Sequence, residues 1–149
     1  MKLQRLHKTK TLEFFSAATE TRIALPFIDS GVKAGFPSPA EDFSDIPIDL
    51  NIELLKNPSS TFFSRVNGDS MKDLGINDGD LLIIDKSLEP ENGKIAVCYI
   101  DGEFTLKTLK LENDHCLLMP ANADYKPIKV TADNEFIVWG IVTFVIKSF

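Results

Sequence analysis

From Thr61 to the end of the chain, apolar residues come in short runs closed off by Gly, Asn and Asp. That is the spacing of β-strands rather than of helices. Strands are predicted at Thr61–Val66, at Asp80–Asp85 around Leu81-Leu82-Ile83-Ile84, at Lys94–Ile100, Glu103–Leu111 and Cys116–Met119, and at a long Phe136–Ile146 segment that includes Trp139. Asp101-Gly102 between two of these runs is a strong two-residue hairpin signal, and Asn77-Asp78-Gly79 and Glu91-Asn92-Gly93 mark further turns. Residues 35–60 read as a connector, because Gly35, Pro37, Pro39, Pro47 and Pro58 interrupt regular structure. Within it, Leu50–Lys56 predicts a short helix with Asp49 as its cap. Residues 1–34 carry a weak helical signal around Thr11–Ala18 and little else. The pattern predicts a mainly β protein: a flexible N-terminal arm (1–34), a connector (35–60) and one compact β domain (61–149). No internal repeat or low-complexity segment is visible.

The totals fit this picture. Of 149 residues, 44% are hydrophobic and 26% charged, enough for one core in an ordinary globular chain. The net charge of −6 is unevenly spread. Residues 1–34 hold Lys2, Arg5, Lys8, Lys10, Arg22 and Lys33 against Glu13, Glu20 and Asp29, a net +3, which leaves −9 for the rest. A body that acidic is poorly suited to gripping phosphate backbones, so any link to DNA should run through a protein partner. The N-terminus begins with basic residues, as a signal peptide does, but Glu13, Glu20 and Arg22 break the stretch that follows. No segment approaches the roughly 18 apolar residues of a membrane span. A cytoplasmic location, away from the membrane, is expected.

Candidate chemistry is sparse. Cys98 and Cys116 form no Cys-x-x-Cys pair, and with His7 and His115 they complete no zinc set of usual spacing, so free buried thiols and no metal or cofactor are expected. Gly68-Asp69-Ser70-Met71 places a serine after a glycine bend at a strand end, where it can project its hydroxyl beside convergent backbone N–H groups. Alone the motif is weak, since most such serines bond their own backbone. A nucleophilic serine needs a base. His7 lies in the charged tail and His115 follows the Asn113-Asp114 turn signal, which leaves a Ser-His-Asp triad possible but poorly supported. Lys107 offers another route. Strand alternation puts Thr105, Lys107, Leu109 and Leu111 on one face. If that face is buried, desolvation lowers the lysine pKa toward neutrality and frees a lone pair for a serine proton. The plainer alternative is a lysine whose stem packs while its head reaches water.

Asn67-Gly68-Asp69-Ser70-Met71, with the run Ile76-Asn77-Asp78-Gly79-Asp80-Leu81-Leu82-Ile83-Ile84-Asp85, resembles the nucleophile region of the LexA/UmuD family of self-cleaving serine–lysine proteins. Asp101-Gly102-Glu103-Phe104-Thr105-Leu106-Lys107 resembles the family's lysine strand. Ala34-Gly35-Phe36-Pro37-Ser38-Pro39-Ala40 resembles its cleavage segment, where an Ala-Gly or Cys-Gly bond is cut. Pro120-Ala121-Asn122 and the closing strand with Gly140 fit as well. The similarity runs from Phe27 to the end, and the preceding residues are unlike the family.

The resemblance implies a LexA/signal-peptidase-like β fold, with Ser70 as nucleophile, Lys107 as base, the backbone N–H groups of Asp69 and Ser70 as oxyanion donors, and Ala34–Gly35 as the chain's own substrate. It implies removal of residues 1–34 under stimulation by RecA filaments on single-stranded DNA. The product would be a homodimer that serves a UmuC-type Y-family polymerase in error-prone translesion synthesis during the SOS response. No direct sequence-specific DNA binding is implied. The UmuD branch is favoured over LexA-type repressors, whose helix-turn-helix domain needs more than the 34 residues that precede the bond. Three other readings stand beside it: a non-cleaving interaction module of the same fold, a type I signal peptidase, which needs a membrane anchor, and a repressor-derived module that has lost its DNA-binding half.

Overall fold

The computed structural model describes residues 5–18, 24–28 and 45–149. In chain order the strands are β1 (Arg5–Lys8), β2 (Leu12–Ser16), β3 (Ala24–Ile28), β4 (Asp45–Asp49), β5 (Thr61–Val66), β6 (Leu81–Asp85), β7 (Ile95–Ile100), β8 (Glu103–Leu111), β9 (Cys116–Met119), β10 (Ile128–Val130) and β11 (Phe136–Ile146), and helix α1 (Leu50–Leu54) follows β4. Residues 1–17 and 57–149 make one compact unit and residues 18–56 another.

In the smaller unit, β3 and β4 pair antiparallel, with Pro26 opposite Pro47. Asp49 caps α1, its Oδ1 accepting from the Asn51 N–H at 2.9 Å. The helix stops at Leu54, short of the expected Lys56. Pro58 lies just beyond, and the residue before a proline is pushed out of the helical region.

Among the described residues, nine strands of the larger unit form one antiparallel sheet in the order β1-β2-β5-β6-β11-β7-β8-β9-β10. Its strongest local determinant is the β7–β8 turn. Asp101 (φ 47°) and Gly102 (φ 91°) both take left-handed conformations, as a type I′ hairpin requires. Glu135 N–H and Asn134 Nδ2 donate to the Asp101 carboxylate at 2.9 and 2.7 Å and hold the turn in place. The sheet curls on itself. Thr11 Oγ1 donates to the Phe104 carbonyl at 2.9 Å, although four strands separate β2 from β8 in the order.

The main departure from the sequence pattern is at the N-terminus. Thr11–Ala18 is not helical; its core is strand β2, paired with β5 from Leu12↔Val66 to Ser16↔Phe62. An isolated eight-residue helix is marginal in water, whereas β5 offers a full row of backbone partners. Leu12 and Phe14 alternate inward with period two, at 0% and 3% exposure, and join a core with Val66, Met71, Leu82 and Leu106. The first part of the expected arm is therefore built into the sheet. A second cluster gathers Ala96, Cys98, Leu109, Leu118 and Ile141.

β11 runs beside both β6 and β7, with an irregularity in each ladder. At Gly140 a Cβ would stand 2.5 Å from Ile84 Cγ2 and 3.5 Å from the Asp85 carbonyl. Gly140→Ala is expected to lower stability by about 1–3 kcal/mol, the usual range for overpacking. Urea denaturation checks this, and an unchanged midpoint would mean that β6 can retreat freely.

Candidate active site

β5 delivers the chain to Ser70. The strand ends at Val66, Gly68 (φ 107°) bends the backbone, and Met71, 2% exposed, anchors the far side of the loop in the core. Several bonds then fix the loop. Asn67 N–H donates to the Thr11 carbonyl at 2.7 Å and Gly68 N–H to Asp78 Oδ1 at 2.8 Å. On the other side, Ala121 N–H donates to the Ser70 carbonyl at 2.8 Å, and the buried Asn122 Nδ2 donates to the Asp69 carbonyl at 2.9 Å. Tyr125 donates its hydroxyl to Asp69 Oδ1 at 2.9 Å, and that carboxylate holds the phenol pKa above its usual range. Among the described residues, no acceptor meets the N–H groups of Asp69 and Ser70.

The segment beyond the loop is pinned from the end of the chain. Lys147 Nζ donates to the Gly75 carbonyl at 2.7 Å and to Asp80 Oδ2. Burial pushes the Asp80 carboxyl up, but the Asn77 N–H and Lys147 outweigh it, and its pKa falls below the usual carboxylate value.

Lys107 comes from β8, opposite Ala96 of β7. It is 5% exposed. Its Nζ lies 3.2 Å from Ser70 Oγ, 2.8 Å from Thr105 Oγ1 and 3.0 Å from the Leu106 carbonyl. Among the described residues, no carboxylate forms an ion pair with it. Burial lowers its pKa and outweighs the opposing effect of Cys98. The partner set suits a neutral amine. A neutral amine here would direct two N–H bonds to the Leu106 carbonyl and the Thr105 hydroxyl and keep its lone pair for the Ser70 hydroxyl. Residues 67–71, 105–107, 125, 126 and 128, with Thr11, Leu12 and Val66, line a cleft of about 230 Å³.

Ser70 and Lys107, chosen from the sequence, are thus brought together, with Asp69 beside them. The Ala34–Gly35 bond lies outside the described residues. His115 does not line the cleft. His115 sits between β8 and β9, 2.6 Å from Asp114, and the side chain of His7 is outside the description. Cys98 and Cys116 are free thiols, and burial raises the Cys98 pKa to about 12. Sequence reasoning missed Thr105, Tyr125, Thr11 and Leu12. Only Thr105 had a usable signal, two residues from Lys107 on the same strand face.

The pattern of the peptidase S24-like family matches residues 26–143. The chain belongs to this family. Protein MucA of Salmonella typhimurium is 40% identical over 134 residues, 89% of this chain and 91% of MucA. Protein ImpA of Escherichia coli is 38% identical over 121 residues, 81% of this chain and 82% of that protein. LexA repressor 2 of Xanthomonas axonopodis pv. citri is 36% identical over 134 residues, 90% of this chain but 62% of the repressor. The antiparallel β architecture agrees with membership of the S24-like family. No helix among the described residues is long and apolar enough to cross a membrane.

The low pKa of Lys107 has a consequence for stability. Between its folded pKa and the unfolded value near 10.5, the unfolded chain binds more protons, so stability rises with pH across that interval and levels off above it. In a Ser70→Ala background, the stability advantage over Lys107→Met should grow as pH is raised from about 7 to about 10, a span chosen around the lysine range. Urea midpoints measure this, and parallel curves would show a lysine protonated throughout.

Proposed function

We propose that this S24-like chain is a UmuD-type protein that cuts itself at Ala34–Gly35, with Ser70 as nucleophile and Lys107 as base. The observation that carries this reading is the buried Lys107 amine, without an ion-pair partner among the described residues, 3.2 Å from Ser70 Oγ. Lys107 Nζ takes the Ser70 hydroxyl proton as Oγ attacks the Ala34 carbonyl carbon. The N–H groups of Asp69 and Ser70, free of protein acceptors among the described residues, receive the oxyanion. Collapse breaks the C–N bond, and Lys107 returns the proton to the Gly35 nitrogen. Ser70 then carries the Ala34 acyl group. A water, deprotonated by Lys107, attacks the ester and releases the new Ala34 carboxylate. The small side chains of Ala34 and Gly35 let the peptide pass close to the nucleophile.

The relatives support the biological setting. MucA, SamA and ImpA are proteins whose lengths this chain largely spans, and the reading follows them toward SOS mutagenesis. A RecA filament would favour the arrangement in which the segment around residue 34 reaches Ser70, a shift of populations rather than a new catalytic group. The acidic 35–149 portion would act as a homodimer and dock on a UmuC-type polymerase in the cytoplasm.

Incubation at about pH 10, where lysine is largely neutral, followed by intact-mass measurement is expected to yield a chain beginning at Gly35. Ser70→Ala and Lys107→Ala should each slow the cut by about 100-fold or more, and Lys107→Arg should fail because arginine keeps its proton. The rate should climb with pH through the depressed Lys107 pKa and then flatten. A rate that is level or falls with pH would sink the lysine-base assignment.

A further inference from the structure

The proposed cut at Ala34–Gly35 leaves residues 5–16 on the N-terminal fragment. In this chain residues 5–16 are not peripheral. β2 lies between β1 and β5 in the main sheet, with every residue from Leu12 to Ser16 in register with β5. Leu12 and Phe14 belong to the same core as Val66, Leu82 and Leu106. The Phe14 ring meets Phe104 at 5.0 Å and Trp139 at 4.8 Å between ring centres. The β1–β2 hairpin is closed by Thr9 N–H donating to the Leu12 carbonyl and by the Lys8–Glu13 ion pair at 2.7 Å. Two further bonds, Asn67 N–H to Thr11 O and Thr11 Oγ1 to Phe104 O, tie it to β5 and β8. Departure of β2 would bare the backbone edge of β5 and the aromatic floor beneath it. It would also strip Thr11 and Leu12 from the wall of the Ser70 cleft.

We infer that residues 5–16 remain bound to the body after the bond is cut, so that the product is a nicked two-chain protein rather than a core freed of its N-terminal fragment. The inference deepens the self-cleavage reading and rests on it for the position of the cut. The retained segment binds as an added β-strand: ladder hydrogen bonds give affinity, and the Leu12 and Phe14 sites give specificity. Cutting turns an intramolecular contact into an intermolecular one, and the contact persists if its affinity exceeds the dilution. What the cut changes is the covalent tie between the sheet's β2 strand and the chain that begins at Gly35. The Ser70 cleft keeps its Thr11–Leu12 wall.

The test uses the full chain in two forms. One is the wild type after self-cleavage at alkaline pH. The other is Ser70→Ala with a foreign protease site inserted between Ala34 and Gly35 and nicked by that protease. Each is returned to neutral pH and analysed by size-exclusion chromatography and native mass spectrometry. The expected result is one particle carrying the mass of both fragments, which separates only in denaturing urea. In the protease-nicked form, Phe14→Ala should weaken retention at least about tenfold, as loss of a core aromatic does, while Lys10→Ala, at an exposed turn, should not. Fragments that run apart at neutral pH with the 35–149 portion still folded would overturn the inference, as would equal retention in Phe14→Ala. Because the second form is cut from outside, failure of the wild type to cleave itself would count against the cleavage reading alone.

Discussion

A lysine side chain with its amine in the interior, and with no carboxylate among the described residues paired to it, sets the terms for the whole site. A buried ammonium without a counter-charge is strongly unfavourable, and the ordinary escape is loss of the proton. Lys107 has that environment: a strand position opposite Ala96, with the Leu106 carbonyl and the Thr105 and Ser70 hydroxyls within hydrogen-bond distance of its amine. Its placement depends on register. A slip of one residue along β8 would swing it to the opposite face of the sheet. The register is held by the two left-handed residues of the Asp101-Gly102 turn, buttressed by Asn134 and Glu135. The proposed chemistry at Ser70 is thus conditional on a turn whose residues do not line the cleft.

The serine is held differently, by surrounding restraint. Its loop is tied to Thr11 of β2 on one side and to Ala121 and Asn122 on the other, while Lys147 pins the stretch from Gly75 to Asp80. These restraints leave the Asp69 and Ser70 amides without protein acceptors among the described residues. The proposed oxyanion role of these amides needs rigidity more than strength, because dipoles that do not have to reorganise stabilise developing charge best.

Much of this was legible in the residues. Short apolar runs closed by turn residues gave β5 to β9 and β11 with bounds close to those found, and the Asp-Gly pair gave the hairpin. Ser70 and Lys107 followed from a glycine bend, strand alternation and the resemblance to self-cleaving proteins. The misses share a cause. β2 reads locally as weak helix because its strand character comes from β5, fifty residues away, and not from its own composition. β3 and β4 each carry a proline, which argues against a strand unless two such edges face one another, as Pro26 and Pro47 do. β10 is three residues long and shows no periodicity. Tyr125 and Thr11 reach the site only through curling of the sheet and folding-back of a loop, which linear spacing does not encode.

Trp139 is the chain's single tryptophan. It stands at the seam where β2 meets the remainder of the sheet, with Phe14 at 4.8 Å, Phe62 at 5.3 Å and the Lys86 ammonium 4.6 Å above its ring. The indole is therefore an intrinsic optical reporter. Its ultraviolet emission is expected to shift toward the red when Phe14 leaves and water takes that place. The occupancy of one strand in the sheet can thus be followed by light, in real time and without a label.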